Sequence, residues 1–178
     1  MSIKFLSDNY YLCAGASHAN ISIKFIEGIK DINSLHYANP ACRYVVAIEQ
    51  DHLRNMAIKY LKKSACRYVV LLNEIEQDHH VKIDGIIYSS LQFSLEPFKR
   101  MLQVLNVLRS HHFTRREYDV LKLSHLENHE IARQLNLSAK STSTYRIKIQ
   151  EKLNMRTKNM LSMHRIKSAI VDQRFKSE

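Results

Sequence analysis

Glycine and proline are scarce in this chain, three and two among 178 residues, and tryptophan is missing altogether. Three glycines supply neither a phosphate-cradling Gly-rich loop nor a GxSxG nucleophile elbow, and the predicted strand ends show no HxxxH-type pair. An enzyme is therefore a poorly supported alternative, and no cofactor is expected. Cysteine is sparse too. Cys13, Cys42 and Cys66 are odd in number, lack metal-ligand spacing and sit inside apolar segments. They read as buried thiols of a reducing cytosol. No stretch approaches the roughly 18 apolar residues of a spanning helix. The start, Met1-Ser-Ile-Lys-Phe, enters an alternating pattern with early polar residues instead of a secretory leader. A cytoplasmic protein without a membrane partner is expected.

What is abundant is positive charge. The net formal charge is +10, with a sequence pI near 9.6. From Phe113 onward, 14 Lys/Arg stand against 7 Asp/Glu, while residues 1–112 carry 13 against 10. A basic C-terminal part behind a nearly balanced N-terminal part points to a polyanion as partner. The expected division is 1–110 and 111–178, joined by Ser110 to Phe113 with neither Gly nor Pro.

In the first part, short apolar runs alternate with helical patterns. Strands are predicted at Ile3–Leu6, Ile21–Ile26, Tyr44–Ile48, Tyr68–Leu72 and Ile86–Tyr88. Helices are predicted over Asn9–Ala19, Asp31–Tyr37 and Asp51–Lys63, weakly over Glu76–His80, and over Leu95–Ser110. Five strands, each followed by a helix, predict a doubly wound α/β sheet. The hexad Ala41-Cys-Arg-Tyr-Val-Val46 recurs as Ala65-Cys-Arg-Tyr-Val-Val70. Two copies do not make a repeat array, so they read as adjacent buried strands in similar surroundings. The pairs His79-His80 and His111-His112, with His125 and His129, read as solvated surface groups rather than a metal site, since adjacent histidines on a strand or helix point in different directions.

The second part is predicted to be all-α. Thr114-Arg-Arg-Glu117 has capping-box spacing ahead of Tyr118 and Leu121. Asn128, as N-cap, opens a short helix with Ile131, Ala132 and Leu135 on one face. Asn136-Leu137-Ser138 then makes a tight turn, and Ser138 caps a basic helix to Leu153. Ile147, Ile149 and Leu153 form its narrow apolar stripe. Apart from Ala139, Gln150 and the single acid Glu151, the other side chains are hydroxylic or basic, suited to phosphate oxygens and base edges. Two helices joined by a three- or four-residue turn form a helix-turn-helix, whose second helix enters the major groove. A final helix between Thr157 and Val171, around Met160 and Ile170, is either a dimer surface or core.

The order Thr114-x-Arg116-Glu117, Val120-Leu121, Asn128-x-Glu130-Ile131-Ala132, Leu135, Ser138-x-Lys140, Tyr145-Arg146, Ile149 and Lys152-Leu153 resembles the LuxR/FixJ-type DNA-binding domain over about residues 113–172. It departs in a shorter first turn, Leu126-Glu127-Asn128, without Gly, and in Arg115, Thr142 and Asn154, where the family usually has Pro, Val and Gly. The resemblance implies a transcriptional regulator that binds double-stranded DNA as a homodimer, or as an auxiliary heterodimer with a related regulator. It implies that Lys140, Lys148 and Lys152 hold phosphates. Ser141, Ser143, Thr144, Tyr145 and Arg146 are then the groove-facing side chains.

Receiver domains commonly precede this family, and the first part is similar to one in architecture. The acidic pair of a receiver falls on Ser7-Asp8 and the phosphoacceptor on Glu49, while Asn73 and Ser89 stand at the hydroxyl and lysine positions. Asp8 and Glu49 thus mark a degenerate site that lacks the attacking Asp and the Lys. Phosphotransfer is expected to fail, and no metal is expected there.

Overall fold

The computed structural model describes residues 2–18, 21–103, 105, 108 and 110–174. The runs Tyr44-Val-Val-Ala47 and Val69-Val-Leu-Leu72 are apolar without alternation, as strands buried on both faces must be. They lie in β3 (Arg43–Ala47) and β4 (Arg67–Leu72), between β1 (Ile3–Ser7) with β2 (Ser22–Phe25) on one side and β6 (Ile86–Ser90) on the other. The two copies of the hexad are neighbours in register, Arg43 beside Arg67, Tyr44 beside Tyr68 and Val45 beside Val69. All five predicted strands are present, within one or two residues of the expected bounds.

The sheet is wider than predicted. Its order is β2-β1-β3-β4-β6-β5-β7, with β5 (His80–Ile83) antiparallel to β6 and β7 (Ser110–His111) on the outer edge. Where a helix was expected over Glu76–His80, the chain turns and then pairs. Asp84 and Gly85, both at positive φ (47° and 84°), close a two-residue hairpin between Ile83 and Ile86. An Asp-Gly pair suits such a turn because its backbone twist matches that of the flanking strands.

Helices α1 (Tyr10–His18), α2 (Ile29–Asn33) and α3 (Asp51–Lys63) follow their strands, with a 3-10 turn at Ser34–Tyr37 after α2. Leu53, Ala57, Ile58 and Leu61 put one face of α3 in the core at helical spacing. The helix expected over Leu95–Ser110 is shorter. It runs as α4 (Leu95–Gln103), and Ser110 already belongs to β7. Residues 104, 106, 107 and 109, like Ala19 of the first predicted helix, lie outside the described residues.

Four helices follow: α5 (Arg115–Lys122), α6 (Asn128–Leu135), α7 (Ala139–Lys152) and α8 (Met160–Arg174). They share one apolar core with the sheet. Ile58, Val81, Ile83 and Tyr88 cluster with Phe113, Tyr118, Met163, Ile166, Ala169 and Ile170. The Tyr88 hydroxyl donates to the Ala169 carbonyl at 3.3 Å, deep in that seam. Ile75 and Met155 make an isolated antiparallel bridge, flanked by Glu76 N–H to Asn154 O (2.8 Å) and Arg156 N–H to Glu74 O (2.9 Å). Ile170 is therefore buried within its own chain and is not the dimer surface that was one of its two predicted roles. Met160 and Leu161, 43% and 58% exposed, remain open at the start of α8.

Candidate nucleic-acid interface

The capping box reads off the structure as it does off the sequence. Thr114 Oγ1 accepts from Glu117 N–H at 3.2 Å, and the Glu117 carboxylate accepts from Thr114 N–H at 2.6 Å. For α6 the N-cap is Glu127 rather than Asn128, which occupies the first helical position. Glu130 takes the Glu127 N–H at 2.9 Å. Asn136 ends α6 in the left-handed conformation (φ 52°), which Asn is one of the few residues besides Gly to adopt readily. Its neighbour Leu137 bonds back to Ala132 O at 2.8 Å, so the chain reverses within three residues. Ser138 then caps α7 by accepting from Ser141 N–H at 3.0 Å.

Helix α7 divides along its length into an anchored and an open face. Thr142, Ile149 and Leu153 are fully buried against α5 and α6, with Thr142 Oγ1 donating to Ser138 O at 3.2 Å. Two of the expected DNA contacts point inward as well. Arg146 donates to the carbonyls of Ser124 and Leu126, pinning the turn between α5 and α6, and its burial lowers the guanidinium pKa. Lys152 reaches the Glu117 carboxylate at 2.7 Å and the His112 carbonyl at 3.2 Å, 5.8 Å from the Phe113 ring centroid. Both charges are committed within the chain, an arrangement that the sequence pattern of basic residues does not separate from a phosphate contact.

Lys140, Thr144, Ile147, Lys148 and Glu151 line the open face. Thr144 Oγ1 donates to Lys140 O at 3.0 Å, and Ser141 Oγ lies 2.8 Å from Ser138 Oγ. Ser141, Ser143 and Tyr145 are half-buried at its margins, Tyr145 against the core. Ile147, predicted to dock the helix, is instead 49% exposed on this face. Helix geometry explains this, because two positions on a helix of 3.6 residues per turn set Ile147 about 200° away from Ile149.

The other candidate region lies at the carboxyl ends of β1, β3 and β4. Ser7 is buried and donates to Ala47 O at 2.8 Å. Asp8 accepts the backbone N–H groups of Glu49 (2.9 Å) and Gln50 (3.0 Å). Arg54, only 5% exposed, spans to the Ile48 and Glu49 carbonyls and to the Asp51 carboxylate. Asn73 accepts from Arg156 at 3.4 Å, and Glu74 pairs with Arg165 of α8 at 3.5 Å. Glu49, Asp51, Arg54, Asn73, Glu74 and Arg165 border a cleft of about 420 Å³ together with Leu71, Leu72 and Leu91. At the position of a receiver's lysine, Ser89 is buried and donates to His79 O at 3.2 Å. Among the described residues, no group of three His, Cys, Asp or Glu is placed to hold a metal. No helix among the described residues is long and apolar enough to cross a membrane.

Residues 111–164 match the family model of bacterial regulatory proteins of the luxR family, GerE. No curated protein sequence matches the chain. Among solved structures, the response regulator StyR is 15% identical with a TM-score of 0.36, over 93% of this chain and 98% of that one. Full-length FixJ from B. japonicum is 10% identical with a TM-score of 0.35, over 95% and 98%. The RcsB response regulator of Salmonella typhimurium is 15% identical with a TM-score of 0.30, over 93% and 97%. These overlaps are loose, and the assignment rests on the family match and on the capped α6–turn–α7 geometry. Residues 111–164 of this chain are a LuxR-type helix-turn-helix domain.

Proposed function

We propose that this protein is a DNA-binding transcriptional regulator that works without phosphorylation, residues 1–110 forming a receiver-like scaffold and 111–178 the DNA-binding part. The observation that carries the reading is the open face of α7. The ammonium groups of Lys140 and Lys148 stand exposed there with no ion pair or hydrogen bond among the described residues, beside the hydroxyls of Ser143 and Thr144. Side chains of these types hold phosphates and read base edges when a recognition helix lies in the major groove.

Phosphorylation independence is supported by how the strand ends are occupied. Asp8 is spent on two backbone amides, Glu49 is one methylene longer than an attacking Asp, and Ser89 is turned into the sheet. Reactions of this kind are sensitive to misplacements of about 1 Å. Two copies on paired half-sites would give the specificity that one helix-turn-helix lacks. Met160 and Leu161 offer open apolar surface for that contact. The test is the affinity of the full chain for duplex DNA across salt. About six phosphate contacts would weaken binding on the order of a thousandfold between 50 and 200 mM salt. A flat salt response overturns the reading.

A further inference from the structure

Resting on the DNA-binding reading, we infer that Ile147 is the side chain by which this protein recognises a thymine, through the C5-methyl group in the major groove. Ile147 is an aliphatic side chain 49% exposed on a face otherwise made of Lys140, Thr144, Lys148 and Glu151. Its neighbours at 142, 149 and 153 account for the docking of the helix, so Ile147 contributes nothing to the core. It sits one turn beyond Thr144 and directly before Lys148, with Lys140 two turns back. Two unpartnered ammonium groups on the same stripe bring a polyanion to this surface, and that makes duplex DNA its occupant rather than an apolar protein groove.

In the major groove, the methyl of thymine is the apolar feature among the base edges, and aliphatic or methyl-bearing side chains contact it. A β-branched residue suits the role because its χ1 is nearly fixed in a helix, so little rotamer freedom is lost on contact. The hydroxyls of Ser143 and Thr144 give less discrimination, since Ser and Thr bond to more than one base edge. Ile147 is then a specificity-determining residue, whereas Lys140 and Lys148 supply affinity for any sequence.

The experiment removes the methyl and nothing else. A duplex enriched from a random-sequence library by wild-type protein is remade with deoxyuridine in place of each thymine in turn. The affinities of wild type, Ile147→Val and Ile147→Ala are measured at one salt concentration. One thymine in each half-site is expected whose replacement weakens wild type and Ile147→Val about fourfold, the effect of one buried methyl group. Ile147→Ala is expected to bind the thymine and deoxyuridine duplexes alike, with an unchanged salt slope. Salt-dependent binding in which no replacement separates wild type from Ile147→Ala overturns the assignment of Ile147 and leaves the DNA-binding reading standing. Enrichment of no duplex at all overturns both. Loss of a protein–protein association in Ile147→Ala, with unchanged DNA affinity, assigns the residue to a protein partner and also overturns the inference.

Discussion

At the carboxyl ends of the central strands, the charged groups are tied back to their own chain: Asp8 to the amides of Glu49 and Gln50, Arg54 to two carbonyls and Asp51, Glu74 to Arg165. On the outer face of α7, Lys140 and Lys148 reach solvent with no such ties. Both regions look equally polar in the sequence. The first spends its charges on holding loops, so a ligand there would compete with existing bonds. The second keeps its charges free, and a polyanion that meets them displaces only water and counterions. Arg146 and Lys152 show the same division within one helix, since they lie on α7 yet behave like the strand-end groups.

Replacing both free lysines should break the contrast most severely. Lys140→Ala with Lys148→Ala is expected to lower DNA affinity on the order of a hundredfold at low salt and reduce the salt slope by about two. The thermal midpoint should stay within about a degree or two, because exposed substitutions change stability little. A loss of affinity without a change of slope would mean that these lysines do not meet phosphates.

The committed charges should behave in the opposite way. Glu117 is 2% exposed; burial raises its carboxyl, but the bond from Lys152 and those from Thr114 outweigh it and hold the group below its ordinary value. Glu117→Gln is expected to destabilise the fold by about 2 kcal/mol, about thirtyfold in the folding equilibrium, as befits a charge-assisted bond. The pH dependence follows from the sign. A depressed carboxyl stabilises the fold above the unfolded value and ceases to do so as pH falls through the folded one. Wild type should therefore lose stability relative to Glu117→Gln on acidification, measured by urea midpoints at neutral and acid pH. A constant difference between the two would place the effect in packing alone.

A smaller effect is expected from Lys152→Ala, about 1 kcal/mol of stability, since its ammonium is partly solvated. Its DNA salt slope should match wild type once the folded fraction is corrected; a drop of one would return Lys152 to the phosphate-binding set. The smallest effect is none. Incubation with Mg²⁺ and a small phosphodonor should leave the intact mass and DNA affinity unchanged. A gain of one phosphate that disappears in Glu49→Ala, with tighter DNA binding, would show the strand-end cleft to be chemically competent.

Much of this was legible in the order of residues. The unbroken apolar runs announced the parallel strands, and Thr114-x-x-Glu117, Ser138 and the turn at Asn136 announced the helix-turn-helix. The β5–β6 hairpin was readable too. Asp84-Gly85 between Ile83 and Ile86 is a strong local hairpin signal, and a helix expected at Glu76–His80 passes over it. Other features were not local. Nothing in the sequence around Arg146 or Lys152 distinguishes a side chain reaching a carbonyl twenty or forty residues away from one reaching a phosphate. The roles of Ile147 and Ile170 likewise depended on which neighbour covered them.

The seam between α8 and the sheet bears on how portable the DNA-binding half is. Regulators built as beads on a tether permit the output domain to be cut out and grafted onto another sensor. Here a graft would carry Met163, Ile166, Ala169 and Ile170 away from Ile83 and Tyr88, leaving apolar side chains to face water. A workable chimera would have to import the β5–β6 hairpin and the inner face of α3 along with the four helices. Interchange of the two halves is thus constrained by a shared interior rather than by the length of the joint at Ser110 to Phe113.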